Sequence, residues 1–206
     1  MSRGTRVRGM RQRPYETDER CSIAMPHLVT ICGSLRRGSY NAALIRAYEA
    51  LATAGTTLEA GRIDDLPLYN EDVRQAGFPE PVQRLRGQIE RADAVLIATP
   101  EYNYSMPGVL KNAIDWASRP PQQPFNDKPI ALTGASPSAF GSARAQYHLR
   151  QCFIFLNAPV LNQPEVMVIH AHERFDANGK LVDQKTQQII VQQLEAFHRF
   201  INRVAR

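Results

Sequence analysis

The chain has 206 residues, 43% of them hydrophobic, and a formal charge of +5 from 25 basic and 20 acidic side chains. That length supports one sizeable core rather than two. No apolar run reaches the roughly 18 residues needed to cross a bilayer, no apolar leader opens the sequence, and three cysteines without C-x-x-C spacing fit neither a disulfide framework nor a zinc site. A cytoplasmic protein without a membrane partner is therefore expected.

The positive charge is concentrated at one end. Residues 1–20 hold six arginines against three acids, so the remaining chain is close to neutral. Such a segment, poor in apolar residues, cannot bury enough surface to order itself, and residues 1–26 are expected to form a disordered basic N-terminal extension, with Met25 an alternative translation start. Only Tyr15 interleaves with its basic residues, so no nucleic-acid partner is expected. Residues 27–206 then form the single domain.

From residue 27 short apolar runs alternate with helical patterns. "HLVTIC" (27–32) reads as a buried strand, and a Gly/Ser/Arg loop leads into a helix over about 39–54, where Ala43, Leu44, Ala47, Tyr48 and Leu51 recur at helical spacing. "TLEAGRI" (57–63) predicts a second strand, followed by a polar loop and a helix over about 79–91. "DAVLIATP" (93–100) is the third and most apolar strand; beyond it Pro107 stands where a first helical turn accepts proline, before a stripe of Val109, Leu110, Ala113, Ile114 and Ala117. "KPIALTGAS" (128–136) and "EVMVIHA" (165–171) predict the fourth and fifth strands. The helix between them carries Ala145, Leu149, Cys152, Phe153 and Leu156, and a last helix spans about 183–204. Cys32 and Cys152 both fall on apolar faces and read as core residues. Five strands alternating with five helices, with strands apolar on both faces, predict a three-layer α/β fold around a doubly wound five-stranded parallel sheet.

In such sheets ligands bind beyond the carboxyl ends of the strands, near the reversal of strand order. The loops after the first, third and fourth strands are rich in groups able to bind. In "GSLRRGSYN" (33–41), the hydroxyls of Ser34 and Ser39, the Arg36 guanidinium and the Asn41 amide surround a helix N-terminus, the physical recipe for a phosphate site. Ser39 acting only as a helix cap beside a solvated Arg36 is the alternative. The spacing is neither G-x-x-x-x-G-K-[ST] nor G-x-G-x-x-G. In "PEYNYSMP" (100–107), two prolines hold out a turn whose tyrosines can form a flat wall and whose backbone at Glu101, Tyr102 and Asn103 can meet the polar edge of a planar ligand; surface packing of Tyr102 and Tyr104 is the alternative. "GASPSAFGSAR" (134–144) is again a strand-to-helix loop of small and hydroxyl residues. His170 and His172 are placed on one face of a strand or its end, with no third ligand at suitable spacing, so no metal is expected. Asp64, Asp65, Glu71 and Asp72 read as solvated turn residues.

These residues resemble the NAD(P)H-dependent FMN reductases of flavodoxin-like fold, among them bacterial quinone and chromate reductases. The resemblance covers about residues 27–203 and rests on G-S-x-R-x-x-S-x-N at 33–41, P-E-Y-N-x-S-x-P-G-x-L-K-N-A-I-D-W at 100–116, and the G-A-S loop with "QYHLRQ" behind it. It implies non-covalent FMN, with Ser34, Arg36, Ser39, Tyr40 and Asn41 around the phosphate, Pro100, Glu101, Tyr102 and Asn103 along the flavin ring, and Ser136 closing the other side. It also implies NADPH or NADH as co-substrate, small-molecule electron acceptors, and a homodimer or homotetramer, with Arg144, Tyr147 and Glu165 candidates for pairing between subunits. Arg37 and Arg119 are candidates to meet a 2′-phosphate. Ser138 departs from the family pattern, where glycine is common. The flavin carries the chemistry, so no catalytic side chain is expected. A flavodoxin-like electron carrier is the competing function, but carriers have a T-x-T-G-x-T loop and an acidic surface, and neither occurs here.

Overall fold

The structure, a computed structural model, describes residues 25–205. Apart from Met25 and Pro26, the expected N-terminal extension lies outside the described residues. The elements run β1 (His27–Cys32), α1 (Tyr40–Leu51), β2 (Thr57–Ala60), α2 (Glu71–Ala76), α3 (Glu80–Arg91), β3 (Ala94–Ala98), α4 (Gly108–Ala117), β4 (Ile130–Ala135), α5 (Ala143–Phe155), β5 (Val166–Val168), α6 (Ala171–Arg174) and α7 (Gln184–Val204).

All four strand pairings are parallel and the order is β2-β1-β3-β4-β5. Every residue of β3 and β4 is buried, as a sheet covered on both faces requires. The period of two along each strand divides the core. Val29, Ile31, Val95, Ile97, Ile130 and Leu132 face α3, α4 and α5, while Leu28, Ala94, Leu96 and Ala131 face α1 and α7. The chain leaves β1 for the outer strand β2 and returns on the other side at β3, so the switch point lies between β1 and β3.

The expected five-stranded, three-layer architecture is present, with corrections at the edges. Helix α2 occupies part of the predicted polar loop. None of its residues is buried; the Asn70 side chain caps it at Asp72 N (2.8 Å), and Glu71 and Asp72 complement the helix dipole, so no apolar stripe advertises it. The fifth strand is shorter than the predicted 165–171. After Val168 the chain is drawn toward the loop that follows β4, where the amides of His170 and Ala171 donate to Ser138 O (3.2 Å) and Ser136 O (3.0 Å). His170 therefore sits in the left-handed region at the start of α6, and His172 lies on that helix rather than on a strand.

Candidate functional site

Beyond the carboxyl ends of β1, β3 and β4, three loops enclose a cavity of about 250 Å³. It is lined by Ser34, Arg36, Ser39, Tyr40, Asn41, Pro100, Glu101, Tyr102 and Ser136, all singled out in the sequence, and by Ala135 and Pro137, which were not. A larger cleft, of about 570 Å³, runs between β5 and the start of α7, but it lies away from the switch point and these donor-rich loops.

The first loop is anchored before it offers anything to a ligand. Ser39 caps α1, its Oγ accepting from the amides of Asn41 and Ala42 (3.2 Å each). Its hydroxyl proton is its one donor, with the Cys32 sulfur within reach. Arg36 lies over the Tyr40 ring, 5.4 Å from its centroid, and Tyr40 packs at 5.8 Å from Phe175. Asn41 lines the cavity and is anchored as well: its buried amide accepts from Ala135 N (2.9 Å) and donates to Ala135 O (3.0 Å). It ties the first loop to the end of β4. Behind the loop, burial pushes the Cys32 thiol pKa up, against the opposing influence of the Ser34 backbone and the Ser39 side chain, and the thiol donates to Ser34 O at 3.5 Å.

The second loop is a tight hairpin. Tyr102 and Ser105 exchange both backbone hydrogen bonds (3.0 Å each), and Asn103 and Tyr104 between them have φ of 49° and 67°. Left-handed backbone at two successive positions gives the twist of a two-residue hairpin; Asn tolerates it and Tyr less so. Asn103 thus forms the hairpin tip and is not brought to the cavity wall. The Glu101 side chain is only 7% exposed, and its carboxylate accepts from the amides of Arg144 (3.0 Å) and Ala145 (3.4 Å) and pairs with the Arg144 guanidinium. It caps α5, whose own N-cap residue Ser142 makes no side-chain cap bond. Arg144, in turn, lies between the rings of Tyr104 and Phe140, 3.6 and 4.3 Å from their centroids. Its charged partner is thus within its own chain; Tyr147 likewise reaches Glu165 at 3.4 Å.

In the third loop Ser136 Oγ accepts from the amide of Ser138 (3.1 Å) and meets the Ser138 hydroxyl at 3.0 Å; Ser138 Oγ accepts from Phe140 N (3.3 Å). Serine at 138 thus makes a side-chain turn that glycine could not. The left-handed positions fall later, at Gly141 and Ser142.

The other groups noted in the sequence stay apart from this cavity. The rings of His170 and His172 meet edge-on at 6.2 Å, and the described residues contain no cluster of three or more His, Cys, Asp or Glu side chains able to hold a metal. Asp64 pairs with Arg62 and Asp65 with Arg84, which hold both carboxyls below their ordinary pKa. Arg74 and the Tyr69 hydroxyl hold Glu71 down at about 2. No helix among the described residues is long and apolar enough to cross a membrane.

A parallel 2-1-3-4-5 sheet with hydroxyls, a guanidinium and a helix N-terminus gathered at its switch point defines a flavodoxin-like protein with a site for a phosphorylated, planar cofactor. The chain belongs to the NADPH-dependent FMN reductase family, whose model matches residues 26–173. It is 56% identical over 174 residues to an NAD(P)H-dependent FMN reductase of Pseudomonas aeruginosa, covering 84% of this chain and 94% of the relative. To a quinone reductase of Escherichia coli K12 it is 48% identical over 180 residues, covering 86% and 96%. Among solved structures, the flavoenzyme NAD(P)H:(acceptor) oxidoreductase FerB of Paracoccus denitrificans superposes with a TM-score of 0.81 at 38% identity, covering 87% of this chain and 98% of that one. Membership makes the chain an oxidoreductase with FMN as cofactor and NAD(P)H as co-substrate, as its motifs led us to expect. The donor set fits that cofactor: the cavity lining brings together a guanidinium, three serine hydroxyls, two tyrosines and two prolines.

Proposed function

We propose that this protein reduces quinones, and similar oxidants such as chromate, with electrons from NADPH or NADH, using FMN held in the cavity between the loops after β1, β3 and β4. The observation that carries this reading is the convergence of residues from all three loops on one cavity at the switch point. When bound, FMN supplies the hydride and electron-transfer chemistry.

The protein's own groups supply binding and orientation. Arg36, the Ser34 and Ser39 hydroxyls and the N-terminus of α1 would neutralise the phosphate. Pro100, Tyr102 and Pro137 would provide flat walls, and the Ser136 hydroxyl, which also lines the cavity, would close the site. Tyr102 is half exposed, which leaves the cavity mouth open to flat oxidants. Asn41, Asn103 and the Glu101 side chain contribute by holding the loops: Asn41 through β4, Asn103 by completing the hairpin, Glu101 through α5. A homodimer or homotetramer belongs to the same reading. It is supported by α5, where Tyr147, Gln151, Ile154 and Phe155 share one helix face and Ile154 and Phe155 are 78% and 87% exposed.

The test is optical. Protein reconstituted with FMN and dialysed should keep the flavin absorbance, lose it on anaerobic addition of NADPH or NADH, and regain it on addition of a benzoquinone. Protein that retains no flavin, or flavin that neither nicotinamide bleaches, would contradict the reading.

A further inference from the structure

A second cleft, of about 340 Å³, adjoins the cavity just described and shares Ser34 with it as a common wall. It lies between α1 and the chain that leaves β2. Leu35 and Ile45 line it from the side of β1 and α1, Ile63 faces them, and Arg62 and Asp64 stand on the β2 side. We propose that this cleft receives the adenosine half of the nicotinamide donor, and that Arg62 and Asp64 read the 2′ position of its ribose. The inference rests on the proposed function, because only a protein that uses NAD(P)H needs such a subsite.

Three observations carry it. The first is position. In doubly wound sheets that bind dinucleotides through a G-x-G-x-x-G loop, a carboxylate near the end of the second strand accepts from the ribose 2′-hydroxyl, or an arginine there accommodates a 2′-phosphate; this chain lacks that loop and shares only the position at the end of β2. Here Arg62 and Asp64 follow β2 directly, on the β1 side of the switch point, beside the loop that opens at Gly33.

The second is composition. The apolar side chains of Leu35, Ile45 and Ile63 offer a slot for a flat base, while the Glu49 carboxylate on the α1 side suits the exocyclic amine of adenine and repels a phosphate. A phosphate is thereby directed to the opposite rim, where Arg62 stands.

The third is the state of the pair. Arg62 Nε and Nη2 donate to Asp64 at 3.1 and 2.9 Å, with side chains 61% and 50% exposed. Exposed pairs of this kind contribute little to stability, so opening it costs little. Asp65 is a weaker neighbour of Arg62, 3.9 Å away, because Arg84 holds it with two hydrogen bonds at 2.9 and 2.7 Å. One weak pair thus presents a carboxylate for the diol of NADH and a guanidinium for the 2′-phosphate of NADPH. Arg119, considered from sequence for that phosphate, is turned elsewhere: its Nε donates to Asp115 O (2.9 Å) and its guanidinium lies over Tyr69.

The test uses the FMN-loaded protein and two fragments that lack nicotinamide, adenosine 2′,5′-bisphosphate and 5′-AMP, titrated by calorimetry. Both should bind while FMN stays in place. Arg62→Ala should weaken the bisphosphate about tenfold or more, as loss of a charge-assisted contact does, and 5′-AMP much less. Asp64→Asn should do the reverse, and in turnover Arg62→Ala should raise KM for NADPH more than for NADH. Failure of the bisphosphate to bind, displacement of FMN by it, or binding indifferent to Arg62→Ala would overturn the assignment. If flavin is retained and bleached by NADPH in those cases, the proposed function stands and only this subsite falls; if flavin is neither retained nor bleached, the proposed function falls first.

Discussion

The side chain of Asn41, at the start of α1, makes both of its hydrogen bonds to the backbone of a single residue, Ala135, at the end of β4. One amide therefore holds together two of the three loops that form the cavity, across 94 positions of sequence. Replacing Asn41 with Ala leaves a buried N–H and a buried C=O without partners. A loss of about 1–3 kcal/mol is expected, measured by urea unfolding of the FMN-free protein, together with weaker FMN retention. Asn41→Asp should also be destabilising, because it sets a carboxylate against the Ala135 carbonyl.

Arg36 belongs to the ligand rather than to the scaffold in our reading. Arg36→Ala should weaken FMN binding roughly ten- to hundredfold, the equivalent of one charge-assisted contact to phosphate, and leave unfolding of the FMN-free protein nearly unchanged. Fluorescence titration of FMN checks the first part and urea unfolding the second.

Glu101 ties the hairpin to α5 through two backbone amides and Arg144. Glu101→Ala removes the side-chain cap of that helix and is expected to cost about 0.5–2 kcal/mol, the usual range for a lost cap. Hydrogen exchange should accelerate at the amides of Arg144 and Ala145. Arg144→Met keeps both amide contacts and should leave those two amides protected.

Asp183 caps α7, accepting from Thr186 N (2.8 Å) and Thr186 Oγ1 (2.7 Å), and pairs with Arg174. Those contacts hold its carboxyl below the ordinary range. With the folded pKa depressed, the stabilisation is fully present above the unfolded value, about 3.9, and is lost as pH falls through the folded one. Asp183→Ala should therefore cost about 1 kcal/mol at pH 7, and the gap between wild type and variant should narrow toward acid. Urea unfolding at several pH values measures it.

The exposed face of α5 gives a test of association. Phe155→Asp with Ile154→Asp should lower the mass measured by light scattering toward that of a single chain and leave the far-ultraviolet circular dichroism unchanged, because neither side chain contributes to the core.

Much of this protein was legible in its sequence because the relevant signals are local. Strands such as 94–98 and 130–135 announce themselves as apolar runs, and the stripes of α1, α4 and α7 repeat at helical spacing. The three loops at the switch point stand out by composition, because costly polar and aromatic groups cluster where a plain turn would connect the elements. What the tertiary structure alone decided is how those groups divide between scaffold and ligand. Asn41 and Ser34 look equivalent in a motif, yet Asn41 meets the backbone of β4 and Ser34 stands between two cavities. Glu101 is spent on a helix that begins more than forty residues later. The helix at 71–76 was hidden because local capping and ion pairs hold it, without an apolar face. Asp64 read as an ordinary turn residue and Arg62 as part of a strand until the sheet order placed both beside the loop that opens at Gly33. Periodicity reports which face of an element is buried; it carries no information about which distant backbone group a polar side chain will satisfy, because that is set by strand order and register.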